Sequence, residues 1–391
     1  MEAGIGVTHI TWEAIPWQGA LDVQLSAAWD ALVAQDRDTP VFRYRAWFTS
    51  ACITGSVTPW GVLAVKEDGQ CIALFPLQKS SPWTWRFISF GTETEAIFLI
   101  APGREQAAWA ALADWLRALP GVAYLDAGIL TQPRHIDAFR AAGQTQALRI
   151  TARPCRMPFI SSQLADSWED YLASLRGEAR RYLTREERVL KAAYPDITID
   201  YLHDLPSCLE AIEAFITLFR RRWEQQPGGC FLTPESHAAF YRAVIGWAVQ
   251  QGLATVCVMR ARGRIVSVKT FLHVPGQTAV IAHLVARDTT AFPKQFSPGL
   301  VECNHTVRWA ISQGYRVMHM GLGNSEYKRK YGATVVQYAT FTATRRPLSA
   351  VLLPKVDRLL YVLRRLPIHL SFHLRRLESH RRRPTGTIAK K

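Results

Sequence analysis

Tyr327 and Lys328 are the adjacent side chains best placed to do chemistry, because they follow a strand end loosened by Gly321 and Gly323. Phe296 to Gly332 reads as loop, helix, turn, strand and glycine-rich loop. Apolar spacing at Leu300, Val301, Val307, Ala310 and Ile311 predicts a helix from Leu300 to Gln313, which Gly314 ends, and Tyr315 to Met320 then reads as a buried strand. Glycines at the end of such a strand lie where α/β proteins place ligands, and Lys328 and Lys330 bring positive charge there, so the expected guest is anionic. Backbone N–H groups around Phe296, Ser297, Gly299 and Leu300, where Pro298 and Gly299 enter the helix, suit a pyrophosphate. Lys328 is expected to neutralise phosphate or oxyanion charge, and Tyr327 to orient a substrate or protonate a leaving group, with Gly323 and Asn324 on the substrate side. Asp288, Glu302, His305, His319 and Glu326 all fall in segments from which a base could come.

Two arginine clusters flank this unit. Asp166 to Ala193 reads as a basic helix with Ser167 as N-cap, Asp170 three residues on, and an apolar stripe of Leu172, Leu175, Ala179 and Leu183. Arg176, Arg180, Arg181, Arg185 and Arg188 take the other face. They form either a solvated surface with Glu178, Glu186 and Glu187 as counterions or a surface for a phosphate or sugar phosphate. Arg220-Arg221-Arg222-Trp223 ends a helix starting near Leu209; it either lines the same cleft, with Arg222 and Trp223 on the substrate, or sits where a helix C-terminus favours cations.

These segments belong to a longer pattern that occurs twice. Trp60 to Val65, a turn at Gly69, and Cys71 to Gln78 read as a hairpin followed by a helix from Gln106 to Ala118 and a strand from Val122 to Asp126. Ala254 to Met259, a turn at Gly263, and Ile265 to His273 repeat that hairpin, followed by a strand at Thr278 to Val285 and the helix and strand above. The recurrence implies duplication of one α/β unit, each a mixed central sheet flanked by helices. Expected divisions are residues 1–160, without a counterpart of Ser297-Pro298-Gly299 or Tyr327-Lys328; residues 161–344, the catalytic unit; and a basic tail, 345–391.

The chain is 391 residues long, with 48% hydrophobic residues, enough for two ordinary domains and against general disorder. Its formal net charge of +15 is misleading as a nucleic-acid signal. Residues 345–391 hold 13 Lys and Arg against Asp357 and Glu378, which leaves only +4 on the rest. In that tail, leucines and Phe372 alternate with Arg364-Arg365, Arg375-Arg376 and Arg381-Arg382-Arg383, and Pro367 divides it into two short amphipathic helices suited to an anionic membrane surface or to packing on the body. Seven cysteines without a C-x-x-C pair suit a reduced cytosol, no metal site is expected, and neither a secretory leader nor an apolar run of membrane-spanning length is read.

Ala286-Arg287-Asp288, then Phe296-Ser297-Pro298-Gly299-Leu300, then Gly321-Leu322-Gly323-Asn324-Ser325-Glu326-Tyr327-Lys328, with the arginine clusters, resembles the GNAT-fold acyltransferases of the CelD-like group found with cellulose and exopolysaccharide synthesis. That group is similar in turn to the Fem peptidyltransferases, with two tandem GNAT-like units. The resemblance implies acyl-CoA, as acetyl-CoA, for the donor, an amino sugar or related envelope precursor for the acceptor, and Asp288 for the base. The cysteines and the basic tail together lead us to expect a cytoplasmic enzyme peripheral to the inner membrane face. The chain departs from the group's pattern at His319 and Asn324, where acidic residues are frequent, and lacks the usual GNAT Q/R-x-x-G-x-G/A loop. A Fem-like aminoacyl-tRNA donor and a noncatalytic scaffold of a synthase complex are the competing readings. Modest body charge and the lack of a heptad arm speak against nucleic acid.

Overall fold

The computed structural model describes residues 9–345 except 37, 90–94, 121–123, 156, 224–229, 231 and 324. The first half gives β1 (Ile10–Pro16), α1 (Val23–Gln35), α2 (Arg45–Ile53), β2 (Gly61–Glu67), β3 (Gln70–Ser81), β4 (Thr84–Phe87), β5 (Leu99–Ile100), α3 (Glu105–Ala118), β6 (Tyr124–Leu130), α4 (Pro133–Thr145) and β7 (Arg149–Pro154). The second gives β8 (Phe159–Gln163), α5 (Trp168–Ser174), α6 (Gly177–Ala193), β9 (Thr198–Leu202), α7 (Leu205–Trp223), α8 (Glu235–Gln250), β10 (Ala254–Ala261) and β11 (Arg264–His273). It continues through β12 (Ala279–Arg287), α9 (Pro298–Ser312), β13 (Val317–Leu322), α10 (Glu326–Lys330), β14 (Thr334–Val336) and β15 (Ala339–Thr344).

The strands form two mixed sheets of one design. The first runs β1-β2-β3-β4-β6-β15-β7, with β5 beside β3, and the second runs β9-β10-β11-β12-β13-β8-β14. In each, a single neighbouring pair is parallel, β4 with β6 and β12 with β13. The two hairpins share a turn as well: Asp68 and Gly69 in one, Arg262 and Gly263 in the other, all at positive φ. Positive φ at both central positions gives the turn whose twist matches the flanking strands. The fold is thus a tandem pair of GNAT-like units, as the repeat implies.

The units do not divide where the sequence suggests. β8 follows β7 and would close the first sheet, yet it lies between β13 and β14 in the second. β15 follows β14 and would close the second sheet, yet it lies between β6 and β7 in the first. Each sheet therefore borrows its sixth strand from the neighbouring half, and the expected boundary after residue 160 cuts through β8. Buried side chains make the join continuous: Trp47 on α2, in the first unit, meets Phe240 of α8 and His283 of β12 edge-on in the second. The basic tail lies outside the described residues, apart from Arg345, whose guanidinium donates to the Leu119 carbonyl at 2.8 Å.

The long basic helix expected from Asp166 is two helices. Ser167 does cap the first, accepting from the Asp170 N–H at 3.0 Å, but Leu175 and Arg176 are extended before α6 starts. Leu175 is buried at this break, so packing of one side chain outweighs continuation of the helix. A chain ending at residue 158 lacks β15 and leaves β6 and β7 without the strand that joins them. It is expected to give no cooperative unfolding transition by near-ultraviolet circular dichroism, and adding residues 159–391 as a separate chain should restore one.

Candidate active site

β12 and β13 pair over only three residues, Ala279↔Val317, Val280↔Met318 and Ile281↔His319. Beyond these the strands separate, and a cavity of about 1120 Å³ opens between them, closed at its ends by the α9 N-terminus, α7 and α10. Two bulges accompany the parting. On β12, His283 has no partner in the register with β11, since Phe271 faces Ala282 and Thr270 faces Leu284. On β13, Met320 and Gly321 together oppose Ile160 of β8, and Gly321 has φ 75°. Bulges of this kind bend a strand and re-aim its side chains.

The freed carbonyls at the end of β13 meet Lys328. Its Nζ donates to Leu322 O at 2.6 Å and Gly321 O at 3.3 Å, and the side chain is only 5% exposed. Lys328 is therefore an interior cation on the cavity wall, not a surface lysine. Its neighbour Tyr331 holds it there. The Tyr331 carbonyl accepts from Ser162 and from Tyr171, at 2.9 and 2.7 Å, and its hydroxyl lies 2.8 Å from Leu300 O and 2.7 Å from Asn304 Oδ1. These bonds tie α10 to β8, α5 and α9 at once.

Under the cavity floor lies a buried carboxylate. Glu302 on α9 accepts from Arg287 Nη2 at 2.6 Å and Ser267 Oγ at 2.8 Å, with Lys269 Nζ at 3.8 Å. Burial pushes its pKa up, but Lys269 and Arg287 outweigh that and hold it below the ordinary glutamate value. Arg287 in turn lies over Gly299: a Cβ there would fall 2.1 Å from Arg287 Nη1. The glycine of Ser297-Pro298-Gly299 thus makes room for a guanidinium. The turn is a thinner anion cradle than expected, because Leu300 and Val301 N–H both turn back to Ser297 O, Phe296 N–H bonds Pro293 O, and Pro298 has no N–H.

Tyr327, Lys328, Phe296, Ser297, Gly299, Leu300, Arg222 and Trp223 all line this one cavity. Desolvation pushes the Tyr327 hydroxyl up to about 12, so it stays protonated at ordinary pH. Others do not converge. Arg180 is exposed on α6, Gly323 lies outside the lining, and Asn324 is outside the described residues. Asp288, expected as base, is a turn cap: its Oδ1 accepts from Thr290 N at 2.8 Å and Thr290 Oγ1 at 2.6 Å, and Arg221 is 3.9 Å away. Burial raises its pKa, yet the Thr290 bonds keep it below the ordinary value, and it does not line the cavity. Glu302 is paired from beneath, His305 is 3.6 Å from Glu187, His319 is off the lining, and Glu326 pairs with Lys330. The sequence reading missed Lys269, Arg287, His237 and His283, of which Arg287 alone stood inside a noticed motif.

Residues 177–329 match an acetyltransferase (GNAT) domain family. With the parted strands and the cavity, this makes the second unit an acyltransferase domain. No curated protein matches the chain in sequence. Among solved structures, the C-terminal domain of a putative lysylphosphatidylglycerol synthetase from Agrobacterium fabrum is similar at 12% identity and TM-score 0.53, over 86% of this chain and 95% of that one. FemX is similar at 13% and 0.53, over 84% and 98%. L-PGS from Bacillus licheniformis is similar at 13% and 0.53, over 85% and 95%. At such identities these likenesses show the fold.

Glu302→Gln should cost about 3 kcal/mol in urea unfolding at pH 7, because it leaves buried Lys269 and half-buried Arg287 facing a neutral amide. Since folding lowers the Glu302 pKa, its contribution is complete above the ordinary glutamate range and is lost as pH falls through the folded value. The wild type should therefore lose stability below about pH 4 more steeply than the variant.

Proposed function

We propose that this protein is an acyl-CoA-dependent N-acyltransferase, with acetyl-CoA as donor, that modifies an amino sugar or related precursor of the cell envelope. The parting of β12 from β13 beside Tyr327 carries the donor half of this reading, because it exposes strand edges along a slot leading to a phenol. The acceptor half is supported by the resemblance of Ser297-Pro298-Gly299 and Tyr327-Lys328 to polysaccharide-associated acyltransferases.

In the reaction, the acceptor nitrogen attacks the thioester carbonyl, the C–N bond forms, the C–S bond breaks and the amine loses one proton. A phenol at about 12 is a weaker acid than a thiol near 8.5, so Tyr327 donates a hydrogen bond to the developing charge and keeps its proton. Lys328, already engaged by the Gly321 and Leu322 carbonyls, fixes the strand end and adds positive potential. The lining holds no Asp or Glu among the described residues; His237 and His283 are its imidazoles, and burial brings His283 down to about 4, so it is neutral. The acceptor amine thus enters neutral and its proton passes to an imidazole or to water.

A second reading, an aminoacyl-tRNA donor, has one observation behind it. Arg180, Arg181, Arg185 and Arg188 on α6, with Arg176 just before it, are exposed and have no ion-pair partner among the described residues, as a surface for a polyanion would.

Calorimetry with acetyl-CoA and a thiol-release assay with glucosamine separate the two readings; no binding of acetyl-CoA would sink the first. Tyr327→Phe should lower kcat about a hundredfold with the Kd for acetyl-CoA within twofold. Wild-type rates should show no alkaline loss from this group below pH 10. We place the tail at an anionic membrane surface on its sequence alone; a chain ending at Arg345 should lose binding to anionic liposomes and keep its affinity for acetyl-CoA.

A further inference from the structure

The cavity carries an excess of positive charge that a thioester does not require. Arg222, Lys269, Arg287 and Lys328 line it, and no carboxylate does so among the described residues. Two of these cations are already engaged: Lys328 by strand-end carbonyls, and Lys269 by Thr306 Oγ1 at 3.2 Å beside Glu302. Arg287 gives one nitrogen to Glu302, yet its Nε is buried with no hydrogen-bond partner. Arg222 packs over the Trp223 ring at 5.3 Å, and no carboxylate among the described residues pairs with it. Arg222 and Arg287 share the cavity wall, and burial first and the Arg287 charge second weaken the hold of Arg222 on its proton. Tyr327 lines the same cavity as both.

Two guanidiniums on the wall of one cavity, Arg287 half-buried and Arg222 exposed, draw an anion into a lining that holds no carboxylate among the described residues, and their planar donors fit a carboxylate or phosphate. Its position beside Tyr327 decides which molecule brings that anion. At the reacting end a thioester donor is uncharged, and its phosphates lie a pantetheine arm away. We propose that Arg222 and Arg287 form an oxyanion-binding site for the acceptor, which therefore carries a carboxylate or phosphate close to its nucleophilic amine. This rests on the acyl-transfer reading for the word acceptor, while the site itself stands on the cation pair.

The test is binding to the full chain, by calorimetry, of two matched pairs: glucosamine 6-phosphate against glucosamine, and glycine against glycinamide. The charged member of at least one pair should bind about tenfold or more tightly than its neutral partner, and which pair shows this tells phosphate from carboxylate. Arg222→Gln should abolish that preference and leave acetyl-CoA affinity within twofold. Arg222 bonds no buried carboxylate, so this variant should fold; an unchanged unfolding midpoint checks that, and Arg222→Lys should restore part of the preference through charge alone. No preference in either pair, a preference that survives Arg222→Gln, or an equal loss of acetyl-CoA affinity would each overturn the proposal. Failure of acetyl-CoA to bind the wild type would remove the donor reading but not the charge preference.

Discussion

β12 and β13 are joined at three positions, and the next pair does not form. A parallel pair left unzipped exposes backbone donors and acceptors that cannot stay buried without partners. Here the loose ends are managed locally. Lys328 takes the Gly321 and Leu322 carbonyls, β11 keeps its ladder with β12 around the bulge at His283, and β8 crosses beyond the bulge at Gly321 to pair Leu322 with Phe159. The space this leaves is the cavity, so the geometry of the site follows from where one ladder stops.

Keeping the strands apart requires a rigid second wall. α9 supplies it, and it is buried nearly all round, including Glu302, Asn304 and Thr306. Such polar groups are tolerated inside because each is bonded: Glu302 to Arg287 and Ser267, Asn304 to Tyr331 and the Leu183 carbonyl, Thr306 to the Glu302 carbonyl. The same bonds that satisfy α9 also aim Arg287 across Gly299 and fix α10 through Tyr331. Positioning and stability are therefore one network, and its directional bonds set the site more tightly than apolar packing alone could.

The exchange of β8 and β15 adds a constraint of longer range. Each sheet is completed by chain from beyond the other, so the first unit acts on the site mainly from outside the lining: it anchors β15 and places Trp47 against His283. A unit that lacks the Tyr-Lys pair is thus still required for the geometry of the one that has it.

Local signals were enough to read the hairpins at Gly69 and Gly263, the apolar face of α9, the Ser167 cap and the ordering of Ser-Pro-Gly before Tyr-Lys. Each depends on residues a few positions apart, where propensity and periodicity act. Those signals also brought Phe296, Leu300, Tyr327 and Lys328 to one wall. They misplaced Asp288, because a carboxylate two residues before Thr290 has a nearer partner than any substrate. They passed over Lys269 and offered Glu302 only as a candidate base, because the two sit 33 positions apart in sequence and nothing local joins them. The strand exchange, the Arg222–Arg287 pair and the end of the β12–β13 ladder left no local mark at all. Sequence by itself determined which segments form and where glycine must stand. Tertiary structure decided which charges share a space, because a buried cation's role is set by what lies across the cavity from it, and that neighbour comes from distant chain.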